Sequence, residues 1–305
     1  MAAIGHTPTV ALRRLSPKPE VRIFAKLEGA NPTGSLKDRI ARSMLDQARA
    51  AGALRPGQTI LEPSSGNTGI SLAMIGARLG HPVRIVMPDN TTPERSDLLA
   101  VFGAEIVYSP GSEGSNGAIR LAGELAAADP TLYMPYQYGN EANPRAHEET
   151  TGPEILAALP DVDCFVAGLG TGGTLTGVGR YLKRHRPSVR IVAAEPLPGE
   201  QVQGLRSLEE GFIPPVLDAS VLDERILVSN RDAVVGLRRL TREEGIFGGL
   251  SSGAAVAVAI RVAGEMTGGS LVVLLADGGW KYLSTDLWTR DLDQLDDELE
   301  RSVLW

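Results

Sequence analysis

Short runs of apolar and β-branched residues alternate along the whole chain with longer segments in which apolar positions recur every three or four residues. That alternation is the mark of βαβ units built on a mostly parallel sheet, so the predicted fold class is α/β. Strands are predicted over 21–28, 59–64, 82–88, 105–109, 132–137, 164–169, 190–195, 226–229 and 271–276. Helices are predicted to start near Ser35, Asn67, Thr92, Ser115, Gly152, Gly173, Arg231 and Ser252. In the first helix Ile40, Met44, Leu45 and Ala48 form the apolar stripe, with Ser35 as N-cap and Gly52 as stop. Thr92-Pro93-Glu94 has the hydroxyl, early proline and early acid of a helix start. The chain contains no tandem repeat or low-complexity linker.

With 305 residues, 43% apolar and 22% charged, the chain has the composition of a globular protein with room for two cores. The single cysteine, Cys164, sits in an apolar run and is expected to pack in a strand, which fits a reducing, cytoplasmic setting. No segment has the ~18–20 apolar residues of a membrane span, and the first residues do not form a secretory signal. A net charge of −7 without a Lys/Arg cluster argues against a nucleic-acid partner. His6, His81, His147 and His185 are scattered, without metal-ligand spacing, so no metal is expected.

In an α/β sheet, ligands bind beyond the carboxyl ends of the strands, which directs attention to three places. Lys37, in Asn31-Pro32-Thr33-Gly34-Ser35-Leu36-Lys37-Asp38-Arg39, falls in a first helical turn. The positive helix end lowers an ammonium pKa and favours the free amine that forms a Schiff base. A solvated surface lysine fits the same position. The turn Glu62-Pro63-Ser64-Ser65-Gly66-Asn67-Thr68-Gly69 offers hydroxyls and unpaired amides to a carboxylate or phosphate, or is simply a capped turn. Gly168-Leu169-Gly170-Thr171-Gly172-Gly173-Thr174 contains Gly-x-Gly-x-x-Gly between a strand and a helix, with Glu195 ending the next strand. This spacing suits an NAD-dependent dehydrogenase and equally a small phosphate monoester. The glycines do not separate the two, but Lys37 and the Ser-Ser-Gly-Asn-Thr-Gly loop do, since a dehydrogenase has no use for either.

Taken together, the Lys37 segment, Ser64 to Gly69, Gly170 to Thr174 and Gly249-Leu250-Ser251-Ser252-Gly253-Ala254 resemble the cysteine synthase family of pyridoxal-phosphate enzymes, of the tryptophan synthase β fold type II. The motifs stand in the family's order, from Ile4-Gly5-His6-Thr7-Pro8 to Asp277-Gly278-Gly279-x-x-Tyr282. The resemblance implies two α/β domains, each a mostly parallel twisted sheet flanked by helices. Residues 35–140 would form a smaller mobile domain that closes over substrate, and 1–34 with 141–305 a larger cofactor-binding one. A homodimer is also implied. It implies that Lys37 holds pyridoxal 5'-phosphate as a Schiff base, that Gly170, Thr171, Gly172, Gly173 and Thr174 cradle its phosphate, that Asn67 meets the phenolic oxygen and that Ser251 meets the pyridine nitrogen. Ser64, Ser65, Thr68 and Gln137 correspond to the substrate carboxylate site. A hydroxyl at Ser251 cannot hold the ring nitrogen protonated as an aspartate would, which favours prompt loss of a β substituent over transamination.

The implied reaction is a ping-pong β-replacement in which an O-activated L-serine passes through an aminoacrylate and takes up a sulfur nucleophile to give L-cysteine. Sulfide is one donor, and thiosulfate or a sulfur-carrier protein is another that the resemblance admits. Within Gln203-Gly204-Leu205-Arg206, Arg206 resembles the arginine of phosphoserine-using members, and a guanidinium suits a phosphate. O-phospho-L-serine is therefore the expected substrate, with O-acetylserine sulfhydrylase, cystathionine β-synthase or serine/threonine dehydratase activity as alternatives. An exposed Arg206 paired with Glu209 or Glu210 is the plain structural counterpart. Three departures from the family pattern stand out: Ser64 replaces a usual threonine, His6 a usual asparagine, and an acidic tail ends in Val303-Leu304-Trp305. That tail is read as an amphipathic helix whose apolar end docks over the cleft or on a partner subunit.

Overall fold

The computed structural model describes residues 1–64, 66–200 and 202–295, with only the backbone of Glu210. In chain order the strands are β1 (Thr9–Leu12), β2 (Val21–Leu27), β3 (Ile60–Pro63), β4 (Val83–Pro88), β5 (Glu105–Ser109), β6 (Cys164–Gly168), β7 (Arg190–Pro196), β8 (Glu224–Val228) and β9 (Gly269–Leu275). The helices are α1 (Lys37–Ala50), α2 (Asn67–Leu79), α3 (Pro93–Val101), α4 (Gly114–Ala128), α5 (Ala142–Ala146), α6 (Gly152–Ala158), α7 (Gly173–His185), α8 (Asn230–Glu244) and α9 (Leu250–Glu265). Among the described residues, no helix is long and apolar enough to cross a membrane.

Two sheets result. One has the order β1-β2-β9-β6-β7-β8, parallel except for the antiparallel edge strand β1, and the other is the all-parallel β3-β4-β5. The unbroken apolar runs of β6 and β9 follow from burial on both faces. Phe165, Ala167, Val272 and Leu274 point to a core shared with Leu175, Val178 and Leu182 of α7. Cys164, Val166, Leu271 and Val273 point the other way, to a core shared with α8 and α9. Burial pushes the Cys164 thiol up to about 12, so it packs as an inert apolar group. The predicted stripe of α1 is buried throughout, but it divides its contacts. Leu45 and Ala48 join the small-sheet core, while Ile40 and Met44 pack on Ala142 and Ala146 of α5.

One predicted strand is corrected, and two stretches were not foreseen. Residues 132–137 make no strand: Tyr133 forms a single bridge to Ile60, Pro135 has no N–H to donate, and Tyr136 adopts φ +57°. The amides of Tyr136 and Gln137 go instead to the Glu62 carboxylate, at 2.7 and 2.9 Å. The edge strand β1 was not predicted, because four residues carry little alternation. Also unpredicted are α5 and the π-helical turn His147–Thr151, which lead into the predicted helix α6 and whose buried Asn143, His147 and Thr151 are polar and give no apolar periodicity.

Candidate active site

Lys37 is the first residue of α1, and its neighbours fix that helix start. Asn31 accepts the Gly5 amide on Oδ1 and donates through Nδ2 to the Glu28 carbonyl and carboxylate, each at 2.9 Å. Thr33 gives its hydroxyl and amide protons to Asp38 at 2.5 and 2.8 Å, and the Ser71 hydroxyl donates to the same carboxylate at 2.6 Å, which ties the loop to α2. The Ser35 hydroxyl accepts the Lys37 N–H at 3.3 Å, but the N-cap position is Leu36, in helical conformation and without a side-chain cap, which corrects the expectation of Ser35 there. Two residues on, the buried Arg39 places its guanidinium on Glu28 at 2.7 and 2.9 Å and on Glu154 at 2.7 and 2.8 Å. Although burial opposes it, hydrogen bonds from Arg39 and Lys26 bring the Glu154 carboxyl down to about 2. With its base so anchored, Lys37 is half-buried and turned into a cleft, not toward bulk solvent. Burial lowers its amine to about 8, with the Asp277 carboxylate pulling the other way. On the order of a tenth of it is then uncharged at pH 7.

The turn after β3 faces the same cleft. Ser64 Oγ accepts the amides of Gly66 and Gly69 at 3.2 and 3.0 Å, which leaves its own proton for a ligand. Thr68 donates to Gln137 Oε1 at 2.7 Å, bringing Ser64, Thr68 and Gln137 together. Ser65 lies outside the described residues. Asn67, at the start of α2, donates through Nδ2 to Asp277 Oδ2 at 2.7 Å and accepts from Lys281 Nζ at 2.5 Å. Tyr282 donates its hydroxyl to the same Asp277 oxygen at 2.8 Å.

The turn after β6 completes the cleft with Gly170, Thr171, Gly172 and Thr174, joined by Ser251 from the first turn of α9. Gly172 has φ +82°, and a Cβ at Gly170 would stand 2.5 Å from the Gly204 carbonyl oxygen, so neither position admits a side chain in this conformation. A Cβ at Gly173 would meet Asn143 Oδ1 at 2.0 Å. The first-turn amides of α7 have no acceptor within the helix and carry its positive end. A half-buried amine near pKa 8, a glycine-lined helix start with two threonine hydroxyls, an amide at Asn67 and a buried hydroxyl at Ser251 make a donor set that fits pyridoxal phosphate.

Arg206 lines the far wall. Its N–H donates to the Leu169 carbonyl at 2.7 Å, and its guanidinium lies 4.8 Å from the Phe212 ring and 5.8 Å from the Tyr138 ring. That guanidinium donates to the neutral Asn116 Oδ1 at 3.3 Å and also hydrogen-bonds the Tyr138 side chain. The alternative pairing with Glu209 is not seen: Glu209 lies 4.0 Å from Arg225, and the Glu210 side chain is outside the described residues. Glu195, the acid that a dinucleotide site would turn to a ribose, is fully buried and accepts Leu208 N–H at 2.7 Å, Ser207 Oγ at 3.4 Å and Arg225 at 3.1 Å. Buried and turned to these internal partners, it does not face a ligand, which removes the dehydrogenase reading. His6 adopts φ +50° and uses its backbone N–H on Glu154 at 3.0 Å; asparagine, the usual residue, tolerates that left-handed conformation well. Of the acidic tail, residues 292–295 are helical and 296–305 lie outside the described residues.

Several residues at the cleft were not visible in the sequence. Tyr138 and Asn116 meet Arg206 only through the fold, and Lys281 reaches Asn67 from 214 positions away. Asn143, His147 and Thr151 at four-residue spacing do carry a signal, a polar helix face, that could have marked them.

A family model described as "Pyridoxal-phosphate dependent enzyme" matches residues 1–278. The chain is 46% identical over 298 residues to a probable cysteine synthase of Bacillus subtilis (strain 168), covering 94% of this chain and 96% of the relative. Among solved structures, an O-ureido-L-serine synthase superposes with a TM-score of 0.89 at 42% identity, covering 99% of this chain and 98% of that one. The O-acetyl serine sulfhydrylase isoform 3 of Entamoeba histolytica superposes with a TM-score of 0.87 at 38% identity, covering 98% and 94%.

Proposed function

The chain belongs to the pyridoxal-phosphate dependent enzyme family, and from that premise we propose that it is a cysteine synthase, replacing the phosphate of O-phospho-L-serine with a sulfur nucleophile to give L-cysteine. The proposed holding groups are Lys37 for the cofactor aldehyde, Gly170 to Thr174 for its phosphate, Asn67 for the phenolic oxygen and Ser251 for the ring nitrogen. Bound there, pyridoxal phosphate supplies the electron sink that acidifies Cα of an amino acid. Ser64, Thr68 and Gln137 take the substrate carboxylate, with Ser65 as a fourth group by resemblance. Lys37, with its amine near pKa 8, removes the Cα proton and can return it after the sulfur has added.

The observation that carries the leaving-group assignment is Arg206. Its guanidinium lies beside two aromatic rings that contact each other and is hydrogen-bonded, among the described residues, to neutral partners, which leaves its charge for a dianion. The contact with Asn116 also spans from residues 35–140 to the remainder of the chain, which supports closure of the smaller unit over substrate. Such closure would exclude water from the reacting centre. The test compares kcat/KM for phosphoserine and acetylserine in wild type and Arg206→Ala. A charge-assisted contact of about 1.5–3 kcal/mol corresponds to about a 10- to 100-fold selective loss on phosphoserine. Equal losses on both substrates would remove the assignment. Acetylserine use is the second reading, supported by the likeness to the Entamoeba histolytica enzyme.

A further inference from the structure

We propose that His147 is a positioning residue for the phosphate cradle: as the Nε2–H imidazole tautomer it donates to Thr174 Oγ1 and leaves the Thr174 hydroxyl proton to be donated into the cleft. The inference rests on the reading of Gly170 to Thr174 as the cofactor phosphate site.

His147 is fully buried at the start of the π-helical turn His147–Thr151, a distortion often found at functional sites. Its Nδ1 lies 2.9 Å from Thr151 Oγ1, and its Nε2 lies 3.2 Å from Thr174 Oγ1. Burial, followed by the nearby Arg39 and Lys37, holds the ring well below its ordinary pKa, so it is neutral and carries one proton. Two arrangements of that proton are possible. If it sits on Nδ1, the ring donates to Thr151 and Thr174 must donate to Nε2. Thr174 then turns lone pairs toward a phosphate dianion, and the fully buried Thr151 must find another acceptor for its own proton. If it sits on Nε2, Thr151 donates to Nδ1, the ring donates to Thr174, and the Thr174 proton is available to the anion. The second arrangement satisfies every group, whereas a buried unsatisfied one costs about 1–3 kcal/mol.

The other hydroxyl of the cradle is treated in the same way. Thr171 Oγ1 accepts from Asn143 Nδ2 at 3.0 Å and from the Gly173 amide at 3.3 Å, which fills its lone pairs and leaves its proton. Asn143 stands four residues before His147, so one short helical stretch backs both threonines. The bare Cα of Gly177 allows this approach: a Cβ there would lie 2.1 Å from the Pro144 carbonyl oxygen and 2.9 Å from His147 Cβ.

Long-range 1H–15N spectra of 15N-histidine-labelled holoprotein, with His147 assigned by its absence in His147→Gln, read the tautomer directly in unaltered protein. An Nε2–H ring at pH 7 is expected; an Nδ1–H or doubly protonated ring overturns the proposal. Affinities of the apoproteins for pyridoxal phosphate and for pyridoxal, which lacks the phosphate, then separate role from packing. His147→Leu should weaken pyridoxal phosphate about tenfold with pyridoxal unchanged, and His147→Gln, which keeps an N–H donor, should restore most of the loss. Equal losses in the Leu and Gln variants would assign His147 to packing and overturn the proposal. Should Thr174→Val weaken pyridoxal phosphate selectively while His147→Leu does not, the cradle stands and the role of His147 fails. If neither variant alters the preference for the phosphorylated form, the cradle assignment itself falls.

Discussion

Glu195, at the end of β7, accepts the Leu208 amide at 2.7 Å and thereby anchors the segment that carries Arg206. The same carboxylate takes Arg225 at 3.1 Å, while Arg206 is pinned on its other side by Leu169. Glu195→Ala should loosen Arg206 without touching the cleft. The expected outcome is a rise in KM for phosphoserine of about tenfold, with a smaller change for acetylserine, since a buried acceptor bond is worth about 1–3 kcal/mol. Steady-state kinetics on both substrates checks this; an identical effect on the two would disconnect Glu195 from Arg206.

The Lys37 amine gives a pH signature in the apoprotein. Its folded pKa, about 8, lies below the ordinary 10.5, so the unfolded chain binds more protons between these values. Stability contributed by this group therefore rises as pH climbs from about 8 to 10.5, and below pH 8 the buried ammonium is a burden on the order of 2–3 kcal/mol. Lys37→Met apoprotein should melt higher than wild type at pH 7, with the gap shrinking by pH 10. A gap independent of pH in calorimetry would show that the amine is not desolvated.

Glu62 has the opposite dependence. Burial pushes its carboxyl up to about 7, although the Gln137 and Tyr136 amides pull it down. The folded protein holds this proton more tightly than the unfolded chain, so the contribution falls as pH rises from about 4.5 to 7. Measured against Glu62→Gln, wild type should lose on the order of 3 kcal/mol of relative stability between pH 5 and 8. A glutamine also has one acceptor oxygen for two amides, so Gln137 should be less well placed and substrate KM should rise. Parallel stability curves for the two proteins would contradict the buried-acid assignment.

These cases show where the sequence was legible. The runs 164–168 and 269–275 are apolar on both faces, and the glycine-rich turns follow strands, so the parallel sheet, the helix start near Lys37 and the two glycine-rich turns could be read from pattern and spacing. The strand expected over 132–137 failed because Pro135 and a left-handed Tyr136 hand their segment to Glu62, a tertiary hydrogen bond with no sequence period. The stretch 142–151 was missed because its buried residues mix small alanines packed on α1 with the polar Asn143 and His147, which meet Thr171 and Thr174. Asn116 reaches Arg206 from a different sheet layer, and only the assembled fold makes them neighbours.

Lys281, set between the aromatic Trp280 and Tyr282, is fully buried and donates to Asn67 Oδ1 at 2.5 Å. With Asp277 accepting from Asn67 Nδ2, the amide can face one way only. Lys281→Met removes the donor that sets this orientation. The expected results are a shifted absorbance maximum of the bound cofactor and about a threefold to tenfold weaker cofactor affinity. Unchanged spectrum and affinity would mean that Asn67 is oriented by Asp277 alone.

Gly34 tests how strictly the Lys37 loop is built, because two separate costs meet at one residue. Its φ is +77°, a left-handed value in which any side chain is strained by about 1–2 kcal/mol. A Cβ there would also stand 2.2 Å from the Trp280 ring, an overlap that must displace either the loop or the indole. The Gly34 carbonyl accepts from Lys281 at 3.4 Å and from the Gly278 amide at 3.2 Å, so displacement would disturb Asn67 as well as Lys37. Gly34→Ala should therefore lower Tm and weaken cofactor binding together. Trp280→Ala in the same chain removes the overlap but not the backbone strain, so the double variant should recover cofactor binding while keeping about 1 kcal/mol of destabilisation. Recovery of neither property would place the whole cost in the left-handed backbone; recovery of both would place it in the indole contact.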